Sequence, residues 1–210
     1  MRLFFSCILA MMKNDPWLEK WLALIQKKSA GGHVLELGCG GGGDTVDLLA
    51  AGCNVVATDV SAENLAECAQ VAPEAKRVQM DNGKPLPFAD HTMPVILTSL
   101  SLHYFSRDVT LQIAAELRRC IKDGGILLAR FNSTNDYNFG ASSDIEIEPD
   151  FYQVGTRTKR FFDETSVRLF LQGWDIQFLE ENVIGRYQKP KYVWEAMAIN
   201  LPLDTSPPPS

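Results

Sequence analysis

An open α/β layered domain is what this chain predicts: a doubly wound, mostly parallel seven-stranded sheet with one antiparallel strand near the C-terminus. Three observations lead there. Short apolar runs alternate with segments of helical periodicity from residue 33 to residue 131. A glycine-rich turn, Gly38-Cys39-Gly40-Gly41-Gly42-Gly43, joins the first of these runs to a helical segment. Two strand-like stretches, 175–183 and 191–199, then close the chain as a hairpin.

The elements follow in order. Asp15-Pro16 opens a helix, with Asp15 as N-cap and Pro16 at the first helical position. Trp17, Leu18, Trp21, Leu22 and Ile25 recur at helical spacing until Gly31-Gly32. Residues 33–37 form the first strand, and 45–51 the helix after the glycine turn, closed by Gly52. A second strand, 53–58, ends at Asp59; Ser61 caps a helix to about Val71, with Leu65, Cys68 and Ala69 on one face. A third strand, 77–80, ends at Asp81. Residues 95–100 read as a buried fourth strand with Ser101-Leu102-His103-Tyr104-Phe105 at its exit. Leu111, Ala114, Leu117 and Ile121 mark a helix over about 108–121, and Asp123-Gly124-Gly125 turns into a fifth strand, 126–131.

From 132 to 160 no periodicity is evident, and a loop of that length is often a functional lid. Within it, Asp144-Ile145-Glu146-Ile147-Glu148 alternates as an edge strand does, and Arg157-Thr158-Lys159-Arg160 is its basic counterpart. Asp163 caps a helix to about Gln172, stopped by Gly173. Residues 202–210 are proline-rich and polar, a composition that favours disorder.

The chain has 210 residues, enough for one domain with a full core, taken to span 1–201. Apolar content of 46% and charged content of 22% suit a globular protein. A net charge of −6 argues against a dedicated nucleic-acid binder, which needs a basic face. Five scattered cysteines form neither a metal-ligand pattern nor a disulfide framework, which points to reduced thiols in the cytoplasm. Residues 1–14 faintly resemble a signal peptide without a convincing cleavage site, and read better as an apolar arm packed on the domain or a lid over the ligand. No run is long enough to span a membrane.

The chemistry is concentrated at three successive strand ends, which carry Glu36, Asp59 and Asp81. In a parallel sheet those ends share one edge, so the carboxylates line a common crevice. Gly38, Gly40 and Gly43 fit a dinucleotide fingerprint, but the flanking charges do not fit a pyrophosphate. Glu36 faces the same crevice and Asp44 lies in the first helical turn. A carboxylate ~4 Å from a phosphate costs roughly 1–4 kcal/mol. The pair therefore favours a ligand that is free of phosphate and carries positive charge, as S-adenosylmethionine does.

On these residues the chain resembles the class I S-adenosylmethionine-dependent methyltransferases. Val34-Leu35-Glu36-Leu37-Gly38-Cys39-Gly40-Gly41-Gly42 is similar to the family's first motif, Ala57-Thr58-Asp59-Val60-Ser61 to the second and Gln79-Met80-Asp81 to the third. Pro85-Leu86-Pro87-Phe88-Ala89-Asp90 resembles the loop before the fourth strand, Ser99-Leu100-Ser101-Leu102-His103-Tyr104 its exit, and Lys122-Asp123-Gly124-Gly125 the turn before the fifth. The resemblance implies the Rossmann-like methyltransferase fold and a cofactor site. In it Glu36 holds the methionine ammonium, Gly38 and Gly40 admit the ligand close to the backbone, and Cys39 supplies backbone contact. Asp59 accepts the ribose hydroxyls, Val60 packs on adenine, Asp81 takes the adenine amino group with Asn82 beside it, and Ser99 and Leu100 line the methyl path. Met93-Pro94 departs from the family where Phe-Asp commonly opens the fourth strand.

The implied reaction is methyl transfer by in-line displacement, with no metal, to a small-molecule acceptor. His103 is the candidate base with Tyr104 next to it, and Arg130, Asn132, Asn135 and Tyr137 are further candidates for acceptor contact. Nucleic-acid methylation motifs are missing from the sequence. Other readings stay open: a cofactor-binding module without chemistry, an RNA or protein acceptor, or a small NAD-dependent reductase.

Overall fold

The computed structural model describes residues 15–185 and 187–202. The expected N-terminal arm, 1–14, lies outside the described residues, as does the tail from 203 onward. A seven-stranded sheet forms the centre. Its strands are β1 (Val34–Leu37), β2 (Val55–Asp59), β3 (Lys76–Gln79), β4 (Met93–Ser99), β5 (Ile121–Asn132), β9 (Asp175–Ile184) and β10 (Lys191–Ile199). They lie side by side in the order β3-β2-β1-β4-β5-β10-β9. β1 pairs in parallel with β2 and β4, and β10 runs antiparallel to both β5 and β9. The architecture expected from the sequence is therefore present.

Alternation along the strands sends side chains to two cores. Leu35, Leu37, Ile96, Leu127 and Phe131 point to one face, where Ile113 and Leu117 of α4 (Arg107–Cys120) and Val167 and Phe170 of α5 (Glu164–Phe170) cover them. Val34, Val55, Val95, Leu97 and Leu128 point to the other, beneath Ile25 of α1 (Leu22–Lys28), Leu48 of α2 (Gly43–Ala50) and Cys68 of α3 (Ala62–Val71). Strands buried on both sides read as continuous apolar runs, which is why β1, β4 and β5 were evident in the sequence.

The helix ends have local causes. The Ser61 hydroxyl accepts from Asn64 N–H and caps α3, and Ser106 caps α4 in the same way. Asp163 and Ser166 form a reciprocal capping box at α5. The expected Asp15 cap is not formed. α1 begins only at Leu22, turns occupy 17–21, and the Asp15 carboxylate pairs instead with Arg130 at 2.5 Å.

Two further departures concern the strands. Pro94 is the second residue of β4, not a residue ahead of it, and it sits where the β4–β5 register skips from Met93↔Ile121 to Val95↔Ile126. That irregularity accommodates a residue with no N–H to donate. The span 132–160 is no open loop either. After a short 3-10 turn at Tyr137–Phe139 it folds into an antiparallel meander of β6 (Ile145–Glu148), β7 (Phe151–Val154) and β8 (Arg157–Arg160). The Asp144–Glu148 alternation does become an edge strand, β6 of this small sheet. Arg160 N–H donates to the His103 carbonyl at 2.7 Å, which fixes the meander beside the exit of β4. No helix among the described residues is long and apolar enough to cross a membrane.

Candidate functional site

The sheet order reverses between β1 and β4, and a crevice opens outside the carboxyl ends of the strands there. It has two lobes, of about 480 and about 440 Å3. Gly38, Gly40, Leu100, Tyr104 and Arg157 line both. Asp59, Val60, Asp81 and Asn82 belong to the smaller lobe; Glu36, Cys39, Ser99 and His103 belong to the larger. All the residues singled out in the sequence for cofactor and catalysis thus border one or other of two adjoining lobes.

The glycine turn is shaped by crowding. Gly38 has φ 71°, and a Cβ there would lie 2.4 Å from Ser101 Cβ. Gly42 has φ 90°, and its Cβ would meet Cys68 Sγ at 2.9 Å. No L-residue with a side chain fits either position without displacing a neighbour. Across the crevice Leu100, at the exit of β4, holds a φ of 53°, an uncommon backbone state for a branched residue and one that clusters at ligand sites.

In the smaller lobe Asp59 is fixed by donors from the turn and the next helix. Its carboxylate accepts from Gly40 N–H at 3.0 Å, Ser61 N–H at 2.9 Å and the Asn64 amide at 3.2 Å. A carboxylate has about four acceptor positions, so capacity remains for a ligand. Asp81 accepts from Gly83 N–H at 2.8 Å. Beside it Asn82 is buried, and its Oδ1 has no hydrogen-bond partner. Val60 is 65% exposed, an apolar surface presented to the lobe.

In the larger lobe Glu36 is buried and receives a 2.5 Å hydrogen bond from the Thr45 hydroxyl. Burial, and next the nearby Asp44 carboxylate, raise its pKa well above the usual carboxylate value. It has no cationic partner among the described residues. Cys39 is no nucleophile: a hydrogen bond with Cys68 and burial push its thiol up, so it stays protonated.

The first described residues brace this lobe. Ser99 Oγ accepts from Arg130 Nε and Nη2 at 2.9 and 2.7 Å. The Arg130 guanidinium, paired with Asp15, stacks 4.2 Å over Trp17, and Trp17 Nε1 donates to Asp44 at 3.0 Å. This buried chain ties the start of the described chain to both sides of the cavity.

The opposite wall is basic. His103 is buried against Tyr104, ring centroids 4.0 Å apart, and its Nδ1 has no partner. Burial, and then the positive charges of Lys191, Lys159 and Arg157, lower its pKa to about 3. Asn132, the end of β5, is also buried in this lobe with an unpartnered Oδ1. Neither Asn135, whose amide donates to Glu181, nor Tyr137, which is exposed, lines either lobe.

Several residues that shape the site had no signal in the sequence. Thr45 sits nine positions from Glu36, and only the strand-turn-helix geometry brings their side chains together. Lys191 pairs with Asp136 at 2.7 Å and lies 4.8 Å over the Phe139 ring, contacts between segments far apart in the chain. The Ser61 cap was legible, but not that Asn64, whose N–H donates to it, also donates its amide to Asp59.

Residues 34–125 match the family model described as a methyltransferase domain. An uncharacterized methyltransferase of Synechocystis sp. is 36% identical over 98 residues, 47% of this chain and 46% of that protein. The chain spans less than half the length of the curated relatives it matches. A S-adenosylmethionine-dependent methyltransferase of Methanosarcina mazei has a similar structure, with TM-score 0.68 at 16% identity over 80% of this chain and 92% of that one. The 1,6-didemethyltoxoflavin-N1-methyltransferase of Burkholderia thailandensis, solved with 1,6-didemethyltoxoflavin and S-adenosylhomocysteine, gives TM-score 0.65 at 18% identity over 92% of this chain and 79% of that one. At such identities the structural likeness establishes the fold alone.

Proposed function

We propose that this chain, which carries a class I S-adenosylmethionine-dependent methyltransferase domain, moves a methyl group from S-adenosylmethionine to a small-molecule acceptor. The observation that carries the reading is Glu36: a buried carboxyl with a hydroxyl donor, an acidic neighbour and no cation, at the end of the strand before the glycine turn. Such a group gains most from a ligand that brings positive charge.

The residues present fit that cofactor. Glu36 would hold the ammonium of its amino-acid end. Gly38 and Gly40 leave the backbone bare for close approach. Asp59, pre-oriented by three donors, would accept from the ribose hydroxyls, and such charge-assisted bonds are the strong ones. Val60 offers an apolar surface to the base. Asp81 and the unpartnered Asn82 amide offer acceptors at its edge.

When bound, the cofactor supplies a methyl group already activated on a sulfonium. The chain's own work is alignment, and holding reactants in an attacking geometry contributes roughly 7–11 kcal/mol to barrier lowering. Ser99, clamped by Arg130, and the strained Leu100 form the passage between the two lobes. The larger lobe would take the acceptor, with Tyr104 at its rim. His103, a neutral imidazole bordering the same lobe, would receive a proton where the acceptor must lose one. We place the reaction in the cytoplasm, where Cys39, Cys53, Cys68 and Cys120 persist as free thiols.

Calorimetry with S-adenosylhomocysteine tests the cofactor site. Asp59→Ala should weaken binding by about tenfold or more, the loss of a charge-assisted hydrogen bond. Turnover is tested with a labelled methyl donor and a metabolite extract. Cofactor binding without transfer to any acceptor would reassign the protein as a binding module. No heat with either donor or demethylated product would reject the reading.

A further inference from the structure

The larger lobe carries more positive charge than the single carboxylate of the cofactor's amino-acid end needs. Among the described residues its basic wall holds four cations, and two of them are matched by carboxylates: Arg130 by Asp15 and Lys191 by Asp136. The other two are not. Among the described residues the Arg157 side chain makes no hydrogen bond or ion pair, and Lys159 Nζ donates to the Phe139 carbonyl at 3.2 Å without a carboxylate partner. The two side chains are two positions apart on β8, so the strand alternation places both on one face, towards the cavity. Arg160, facing the other way, takes part in an ion pair with Glu148 and stacks on Phe151. Two residues that line the same lobe, His103 and Asn132, each keep a buried polar atom, Nδ1 and Oδ1, without a hydrogen-bond partner among the described residues.

We propose that the methyl acceptor is an anion, a small molecule whose carboxylate or phosphate group is bound between Arg157 and Lys159. This rests on the methyl-transfer reading and names the class of substrate for that same site. The cavity is thereby divided: Glu36, Asp44 and Asp59 form an acidic wall for the cationic donor, and β8 forms a basic wall for the acceptor. Opposite fields on facing walls orient the two reactants and prevent either from occupying the other's half. A lobe of about 480 Å3 suits a small molecule.

The same arrangement makes His103 responsive to the acceptor. Tyr104 of its own segment packs on its ring, and the charged groups whose field reaches it are Arg157 and Lys159 from β8 and Lys191 from β10. An anion seated among these cations offsets their field, and the imidazole becomes a stronger base only when the acceptor is present.

The test is a titration followed by NMR, with protein alone and with protein saturated by S-adenosylhomocysteine. The probes are inorganic phosphate, benzoate and neutral benzamide. Phosphate and benzoate should shift the Arg157 side-chain and His103 ring signals and raise the His103 titration midpoint, whereas benzamide should not. Tighter binding of benzoate than phosphate identifies a carboxylate acceptor, and the reverse identifies a phosphate. Arg157→Gln with Lys159→Gln should weaken anion binding about tenfold or more. If the double variant loses its cooperative melt, Lys159→Gln alone carries the comparison. Benzamide matching benzoate, or anion affinity unchanged in the variants, overturns the proposal. If S-adenosylhomocysteine fails to bind while phosphate still does, the methyl-transfer reading falls and the anion site stands. In turnover assays, acceptor activity should be retained from an extract by an anion exchanger; activity confined to the unretained fraction counts against the site.

Discussion

Glu36→Gln isolates the electrostatic tension on which the cofactor reading rests. In the free protein burial and the Asp44 charge hold the Glu36 carboxyl protonated above the unfolded value of 4.5. The folded state then binds more protons than the unfolded one, so stability falls as pH rises from about 4.5 towards the folded pKa. Inside that window each pH unit removes about 1.4 kcal/mol. Gln is neutral throughout, keeps the shape and can still meet the Thr45 hydroxyl, so the variant should lose this slope and be the more stable form at pH 7. Ligand binding reverses the preference. An ammonium next to Glu36 favours the carboxylate, so binding releases a proton and strengthens up to tenfold per pH unit within the window. Chemical denaturation of both proteins across pH 4–8 reads the first effect. Calorimetry with S-adenosylhomocysteine in two buffers of different ionisation heat reads the second. Parallel stability profiles for the two proteins, together with no proton release on binding, would refute the reasoning.

Three further outcomes follow from local geometry. Gly38→Ala should lower stability by at least about 2 kcal/mol, since it combines a left-handed backbone cost of roughly 1–2 kcal/mol with the Ser101 overlap; adding Ser101→Gly should restore the overlap part in thermal melts. Asp15→Asn leaves the buried Arg130 guanidinium without its carboxylate, and denaturant titration should show a loss of about 3–5 kcal/mol. Asp163→Ala removes the α5 cap and should cost about 1 kcal/mol, and because the folded state holds this carboxyl below its usual value, the wild-type advantage should fade as pH drops through that range.

What could be read from the sequence was what short-range rules govern. Strands buried on both faces, the glycine turn and the Ser61 and Asp163 caps are local patterns, and together they located the acids at one crevice. Beyond the β6 alternation the meander escaped because its strands are four residues long, β8 is wholly polar, and Ile145 and Ile147 of β6 point to solvent rather than to a core. Asp15 shows the opposite error. Asp-Pro is a sound helix start in isolation, but a buried guanidinium 115 positions away competes more strongly for the carboxylate than a helix end in water does. The basic wall escaped for the same reason of distance, since Lys191 and β8 meet only through the fold.

Trp17 has an optical consequence. Its indole N–H is committed to Asp44 and the Arg130 guanidinium lies over its ring, and both partners border the larger lobe. Fluorescence of such a ring is sensitive to adjacent charge, so filling the cavity should alter emission without any attached dye. Subtracting the spectrum of Trp17→Phe would isolate that signal from the remaining tryptophans, and the chain thereby contains its own gauge of occupancy.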